Sequence, residues 1–357
     1  MSRSEPVARS SRVQSGKTLL VKSTGGAGLG DSIRALLAGL HYATVSGRRL
    51  AVAWDDGLYG ERGVDVFPEL LRLVDVDTAS LPELDAQSVW PEPWRGALQL
   101  SLGEVYGRER ADDWHRGWAL RHLSFDQQRF DYPEQVLVMW DFDQFPASWA
   151  AADPERRLGN SPEEALRTFA ARHLRPGARV LSEVRRVRSR FAPRMVGVHI
   201  RKTFESGGET RHVALGEVFS VVDRLLRSGG AEGVFLATDN SEVEAAFLQR
   251  YPQTVTSGKR FGPPGVALHF DETVSDRTQG AVEALADLYL LAGCDFLVYP
   301  GSSSFSRVAA ILGSVPNPCL FPLPSGRPWH RWATAWRAHR AARTAPARAE
   351  TPVFLEP

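Results

Sequence analysis

"TLLVKSTGGAGLGDSIRALLAGLHYATVSGRRLAVAW", Thr18 to Trp54, decides the fold. Thr18 to Thr24 is an apolar run of strand character, and Asp31 to Gly47 sets Ile33, Leu36, Leu37 and Leu40 on one helical face. Arg48 to Trp54 returns to strand character. A strand, a glycine turn, a helix and a second strand open a parallel sheet. The turn has the spacing G-x-x-x-x-G-[K]-[ST] from Gly25 through Gly30 to Ser32, but Asp31 stands where the lysine of a phosphate loop belongs. The dinucleotide fingerprint G-x-G-x-x-G fails too, because counting from Gly26 and Gly28 puts its last glycine on Asp31. Asp31 is instead expected at the N-cap, accepting N–H groups of the first turn. Gly28 and Gly30 are expected to line a cleft and let the backbone approach whatever faces it.

Outward from that unit the pattern is first irregular. Tyr59 to Asp131 is rich in Pro, Trp and Asp, and only Gln135 to Trp140 reads as a further buried strand. Ser161 to Gly177 is predicted as a helix with a serine cap and Pro162 at its first position, in a segment expected to act as the hinge. Strands then recur at Met195–Ile200, Gly233–Thr238 and Asp295–Pro300, with helices at Leu215–Arg227, Ser241–Tyr251, Gly280–Ala292 and Ser303–Leu312. The fold class is therefore α/β, with two Rossmann-like domains facing across a cleft. The expected divisions are a flexible 1–16, a first domain 17–177, a second 178–325, and a helix or tail over 326–357, partly ordered from Ala333.

Composition narrows the partners. The 357 residues are 43% hydrophobic and 24% charged, with a formal net charge of +1, which gives no basic footprint for nucleic acid. The runs Arg185–Arg190 and Arg337–Arg343 read as solvated helix faces or tail. Cys294 and Cys319 lack metal-type spacing and suit a reducing compartment. No apolar leader or spanning run stands out, so the expected location is cytoplasmic, without a membrane partner.

Chemistry gathers at the strand ends. "HIRKTFESGGETRH" leaves the first strand of the second domain, "ATDNSE" the second and "YPGSSSFSR" the third. His199, Arg201 and Lys202 suit an anion, and Ser302, Ser303 and Ser304 before a helix offer hydroxyls and N–H groups to phosphate. The bland alternative pairs Arg201 with a local acid such as Glu205 and leaves the serines as caps. "DVD" (Asp75–Asp77) and "DFD" (Asp141–Asp143) have the D-x-D spacing of a metal site, but short motifs of this kind are weak, and no metal is expected. His173, His212 and His269 form no ligand pair. Trp90, Trp94, Trp114, Trp118, Trp140 and Trp149 are expected mainly as core.

Three blocks carry a resemblance. They are "AGLGDSIRALLAGLHYATVSGRRLAVAW", "VGVHIRKTF", and "FLATDNSEVEAAFLQRYP" continuing through "KRFGPPGVALHF" to "GAVEALADLYLLAGCDFLVYPGSSSFSRVAAIL". In that order the sequence resembles the bacterial nodulation fucosyltransferases of the NodZ family and, more distantly, the α1,6-fucosyltransferases of the N-glycan core. The resemblance implies a GT-B architecture and an inverting, metal-independent transfer of fucose. GDP-fucose is then the donor, no cofactor is needed, and the acceptor is a carbohydrate or a secondary metabolite. It assigns Arg201 to the diphosphate, His199 and Asp287 to the guanine, and Ser302 to Ser304 to phosphate oxygens, with Lys202 and Asp239 in the same donor site. Glu209 falls where relatives carry a proposed base, and Glu205 lies as close in sequence. The sequence departs from the family's Arg-Arg-Thr-Asp run at Lys202 and Phe204, and lysine lacks the bidentate fork of arginine. Two rival readings stay open: a different nucleotide sugar, or a nucleotide-sugar binding protein without catalysis.

Overall fold

The computed structural model describes residues 16–25, 27–82, 88–201, 214–259, 261, 276–313, 315–316, 319–323 and 328–344. In the first half, β1 (Thr18–Lys22), α1 (Leu29–Ser46) and β2 (Arg49–Ala53) form the unit expected from the sequence. The irregular stretch resolves into α2 (Phe67–Leu70), β3 (Leu71–Leu73), β4 (Val89–Trp90), α3 (Leu102–Glu109) and α4 (Arg116–His122). Then follow β5 (Val136–Met139), α5 (Phe145–Ala151), α6 (Pro162–His173), β6 (Leu174–Pro176) and α7 (Ala178–Arg188). The second half runs β7 (Met195–Ile200), α8 (Leu215–Arg227), β8 (Gly233–Thr238), α9 (Ser241–Arg250), β9 (Thr254–Val255) and α10 (Arg277–Ala292). It ends with β10 (Phe296–Pro300), α11 (Ser304–Gly313), β11 (Leu320–Leu323) and α12 (Pro328–Thr344).

Both large sheets are parallel. The first has the order β2-β1-β5-β4 and the second β11-β10-β7-β8-β9. In the second sheet the chain starts at β7, winds outward through β8 and β9, and returns to β10 on the other side. That reversal opens a crevice between the carboxyl ends of β7 and β10, where open α/β sheets hold ligands. In the first sheet the matching crevice lies between β1 and β5.

One expectation changes, and two gain detail. Asp31 is not the N-cap: α1 begins two residues earlier, with Gly28 in extended conformation at the cap and no side-chain cap bond. Gly30 can enter the helix only because it packs without a side chain, so the first turn forms ahead of Asp31, whose charge then faces the helix N-terminus from inside it. The expected hinge is α6, capped by the Ser161 hydroxyl accepting from Glu164 N–H, followed by β6, which pairs antiparallel with β3. The end of the chain is helical through Thr344, and α12 packs against α8 and β11 with Ala338 and Ala341 buried.

The two halves share one apolar core. α11 of the second half packs against α1 and α6 of the first. At the tightest point a Cβ on Gly30 would lie 2.5 Å from the Phe305 backbone nitrogen. Gly30→Ala gains up to about 1 kcal/mol of helix propensity but forces backbone against backbone, an overpacking that costs typically about 1–3 kcal/mol. The clash wins. We expect Gly30→Ala to lower the thermal midpoint, measured by calorimetry, and an unchanged or raised midpoint would show that the helices can separate freely.

Candidate functional site

β7 alternates Val196, Val198 and Ile200 against Gly197 and His199, and the strand ends at the crevice. His199 Nδ1 lies 2.7 Å from Ser306 Oγ and 3.4 Å from Ser303 Oγ, and its ring centroid is 5.0 Å from that of Phe305. Loss of surrounding water pushes its imidazole down to about 3; Asp239 opposes the shift, and Lys259 and Arg201 reinforce it. The ring is therefore neutral at physiological pH, and its serine hydroxyl partners can serve either tautomer, since a hydroxyl both donates and accepts.

The serines divide their work. Ser303 is buried and accepts from the Ser306 N–H at 3.2 Å, which orders the start of α11, whereas Ser302 is exposed and Ser304 half-buried. Ser306 was not among the residues singled out from sequence, although it sits in the same "SSSFS" run; a helical offset of three from Ser303 was the available signal.

Arg201 follows β7, and its Nε lies 3.7 Å from Asp239 Oδ2 at the end of β8. Asp287 enters from α10. Only 1% exposed, it holds Lys259 Nζ at 2.5 Å through Oδ2, while Oδ1 is buried with no hydrogen-bond partner among the described residues. Glu244 on α9 belongs to the same patch, its carboxyl raised by burial and by Asp287 and lowered by Lys259. Lys259 was missed because a lysine in a loop carries no periodic signal. Lys202, Glu205 and Glu209 lie outside the described residues.

The first half meets this patch with the loops after β1 and β2. Gly28 and Gly30 start α1 against α11. Ser23 donates to Asp56 at 2.7 Å, and Arg277 donates to the Gly57 carbonyl at 2.8 Å, bridging from α10. Tyr59 is buried beside Asp56 and Arg201, and burial first, then Asp56, raises its hydroxyl well above the ordinary phenol range while Arg201 opposes. Beneath the loops Lys22, fully buried, donates to both oxygens of Asp55 at 2.7 and 2.9 Å and to the Leu98 carbonyl at 3.2 Å. Removing one partner of such a pair strands a buried charge, at a cost of about 3–5 kcal/mol.

The acids of the D-x-D stretches have separate tasks. Asp141 is buried against Ser124 and Gln127, Asp143 pairs with Arg116 at 2.7 Å, and Asp77 pairs with Arg49 at 3.0 Å. Among the described residues no three His, Cys, Asp or Glu side chains gather as a metal site, and no helix is long and apolar enough to cross a membrane.

Taken together, guanidinium, ammonium, hydroxyls and a helix N-terminus surround a crevice that can hold a phosphorylated ligand, with a buried carboxylate oxygen open to N–H donors. The two parallel sheets with their crevices are those of a GT-B fold. Residues 160–316 match the family model described as Nodulation protein Z (NodZ). Nodulation protein Z of Azorhizobium caulinodans is 28% identical over 316 residues, covering 80% of this chain and 86% of the relative. That of Bradyrhizobium diazoefficiens is 24% identical, covering 80% and 76%. The crystal structure of NodZ alpha-1,6-fucosyltransferase soaked with GDP-fucose superposes with a TM-score of 0.55 at 20% identity, over 83% of this chain and 92% of that one. The chain is thus similar in sequence to the nodulation fucosyltransferases and shares the fold of the one of known structure.

His199 ties the site to pH. As pH falls through the ordinary histidine value near 6.5, the unfolded chain binds a proton that folded His199 refuses until about 3. Stability is thus lost across that window as pH falls, and buried His41, pushed down to about 4, adds to the loss. We expect His199→Gln to show a smaller drop in urea midpoint between neutral pH and about pH 5 than the wild type. An equal drop would mean that the imidazole is protonated in the folded protein.

Proposed function

We propose that this protein is a glycosyltransferase that moves fucose from GDP-fucose to a carbohydrate or glycosylated small-molecule acceptor. The observation that carries the reading is Asp287 Oδ1, buried and without a hydrogen-bond partner among the described residues, beside the crevice that His199, Arg201 and Ser303 line. A carboxylate oxygen of that kind accepts from the N1–H or exocyclic amine of guanine, whereas uracil and thymine offer a single N3–H between two carbonyls, on a smaller ring that reaches less deep. Arg201, with Lys202 in the same site, faces the diphosphate, and the Ser302 to Ser304 turn offers it hydroxyls. Asp239 keeps the Arg201 guanidinium at the strand end. NodZ-type relatives of known structure support the donor, since one was soaked with GDP-fucose and another co-crystallised with GDP.

Transfer is read as inverting. One carboxylate takes the proton of the acceptor hydroxyl while cations stabilise the departing GDP, with no metal required. Glu209 is the preferred base, with Glu205 as the alternative. The proposed divisions are a first, acceptor-side domain over 17–177 and a second, donor-side domain over 178–325, working in the cytoplasm.

GDP should stabilise the protein against heat far more than UDP, ADP or dTDP. At about 100 times its dissociation constant a ligand adds roughly 2.7 kcal/mol to the folded state, a shift of about a few degrees. Asp287→Ala should erase that preference and keep weak diphosphate binding. A larger shift with UDP or dTDP would overturn the donor assignment.

Kinetics test the base and the cations together. In excess EDTA, Glu209→Gln should lose transfer by at least ~100-fold while its GDP-induced thermal shift survives, and Glu205→Gln should lose less. The reverse order would make Glu205 the base. Wild-type activity that vanishes on chelation and returns with manganese would replace cationic leaving-group stabilisation by a metal mechanism.

A further inference from the structure

Six tryptophans in the first half were expected mainly as core, and Trp94 and Trp140 are wholly buried. Trp114 is not: it is 45% exposed, yet held firmly. Its ring centroid lies 4.8 Å from that of Tyr106 and 6.2 Å from that of Trp140. The Tyr106 hydroxyl donates to the Asp113 carbonyl at 2.8 Å and accepts from the His115 N–H at 2.9 Å, so the backbone on both sides of Trp114 is fixed by one phenol. His115 then caps α4, its Nδ1 accepting from the Trp118 N–H at 3.0 Å. A lone exposed indole needs no explanation. One locked from both flanks, next to a planar polar pair, has the makings of a platform.

The pair is Arg116 and Asp143, bound at 2.7 Å with both side chains partly exposed. Arg116 stands 5.9 Å from the Trp140 ring centroid, so it shares the aromatic surface. Asp143 follows β5 and lies within electrostatic reach of Arg34, whose guanidinium sits 4.0 Å over the Phe142 ring and which also feels Arg307 of α11. The Trp114 patch is thus linked electrostatically, through Asp143 and Arg34, to Arg307 near the start of α11. Trp90, the other exposed tryptophan of this half, pairs across β4 to the opening residues of β5, at the far end of the sheet.

We propose that Trp114, Tyr106, Arg116 and Asp143 form a saccharide subsite that takes one pyranose ring of the acceptor, a reading that rests on the transferase function. A pyranose with equatorial hydroxyls has an apolar C–H face, which stacks on an indole, and vicinal hydroxyls at its rim, which match the fork of a guanidinium and the two oxygens of a carboxylate. The occupant is neutral, because the Arg116–Asp143 pair balances its own charge.

Saturation-transfer NMR with cellotetraose, maltotetraose and chitotetraose tests the assignment, with GDP-induced thermal shifts recorded for each variant. Wild type should transfer saturation to the ring C–H protons of at least one tetrasaccharide. Trp114→Ala should bind that saccharide ~10-fold or more weakly, Trp114→Phe should recover part of the affinity, and Arg116→Leu, at a partly exposed side chain, should weaken it while leaving the Trp114–Tyr106 ring pair in place. Intact GDP shifts in the variants would place the loss at this subsite. Binding of none of the three saccharides by wild type, or undiminished binding by Trp114→Ala and Arg116→Leu, overturns the subsite. Saccharide binding lost on Trp114→Ala, in a protein that never responds to GDP, would support the subsite and sink the donor reading instead.

Discussion

The contact on which the crevice depends is between two helix starts. α1 leaves the glycine turn after β1, α11 leaves the serine turn after β10, and Gly30 lies against the Phe305 backbone where any side chain would collide. Each turn ends a strand at its sheet's crevice, so the contact sets the register of one sheet's carboxyl edge against the other's. Loops from β2 reach over the junction as a result, bringing Asp56 and Tyr59 beside Arg201. The glycine turn that resembles a phosphate loop in spacing is thus built for the proximity of protein to protein.

Around the junction the charges are arranged by burial. His199 stays neutral because it is short of water, so among the described residues the positive character of the crevice comes from Arg201 and Lys259, which face Asp239 and Asp287. Hydroxyls do the rest, since Ser303 and Ser306 hold the imidazole while ordering the first turn of α11. Among the described residues the site changes little in charge near neutral pH, because burial has moved His199 out of range.

How much of this was legible in the sequence depends on how far each signal acts. Strands β1, β2, β5, β7, β8 and β10 and the long helices between them announce themselves through local apolar runs and periodicity, and their ends fall within a few residues of expectation. The start of α1 was misjudged because it is decided by Gly30 meeting α11, hundreds of residues away in sequence. α7 shows in the sequence only as a charged face, because its arginines cover the outside of Val180, Val184 and Val187, all buried. In the site, His199, Arg201 and the serines were visible as polar residues at strand ends. Ser306, Lys259 and Tyr59 were not, since each matters only through a partner brought in by the tertiary fold.

The layer α1–α11–α6 has a consequence for how the chain reaches its native state. α1 and α6 are complete once residue 173 has been made, but the helix that covers their shared face ends at Gly313. At about 5–20 residues per second of synthesis, that apolar face stays uncovered for on the order of ten seconds on the ribosome. The first half therefore emerges as a sheet with one side unfinished, and it becomes a finished domain only when the second half supplies the missing helix. Folding of the nascent chain is accordingly not divided where the architecture is divided.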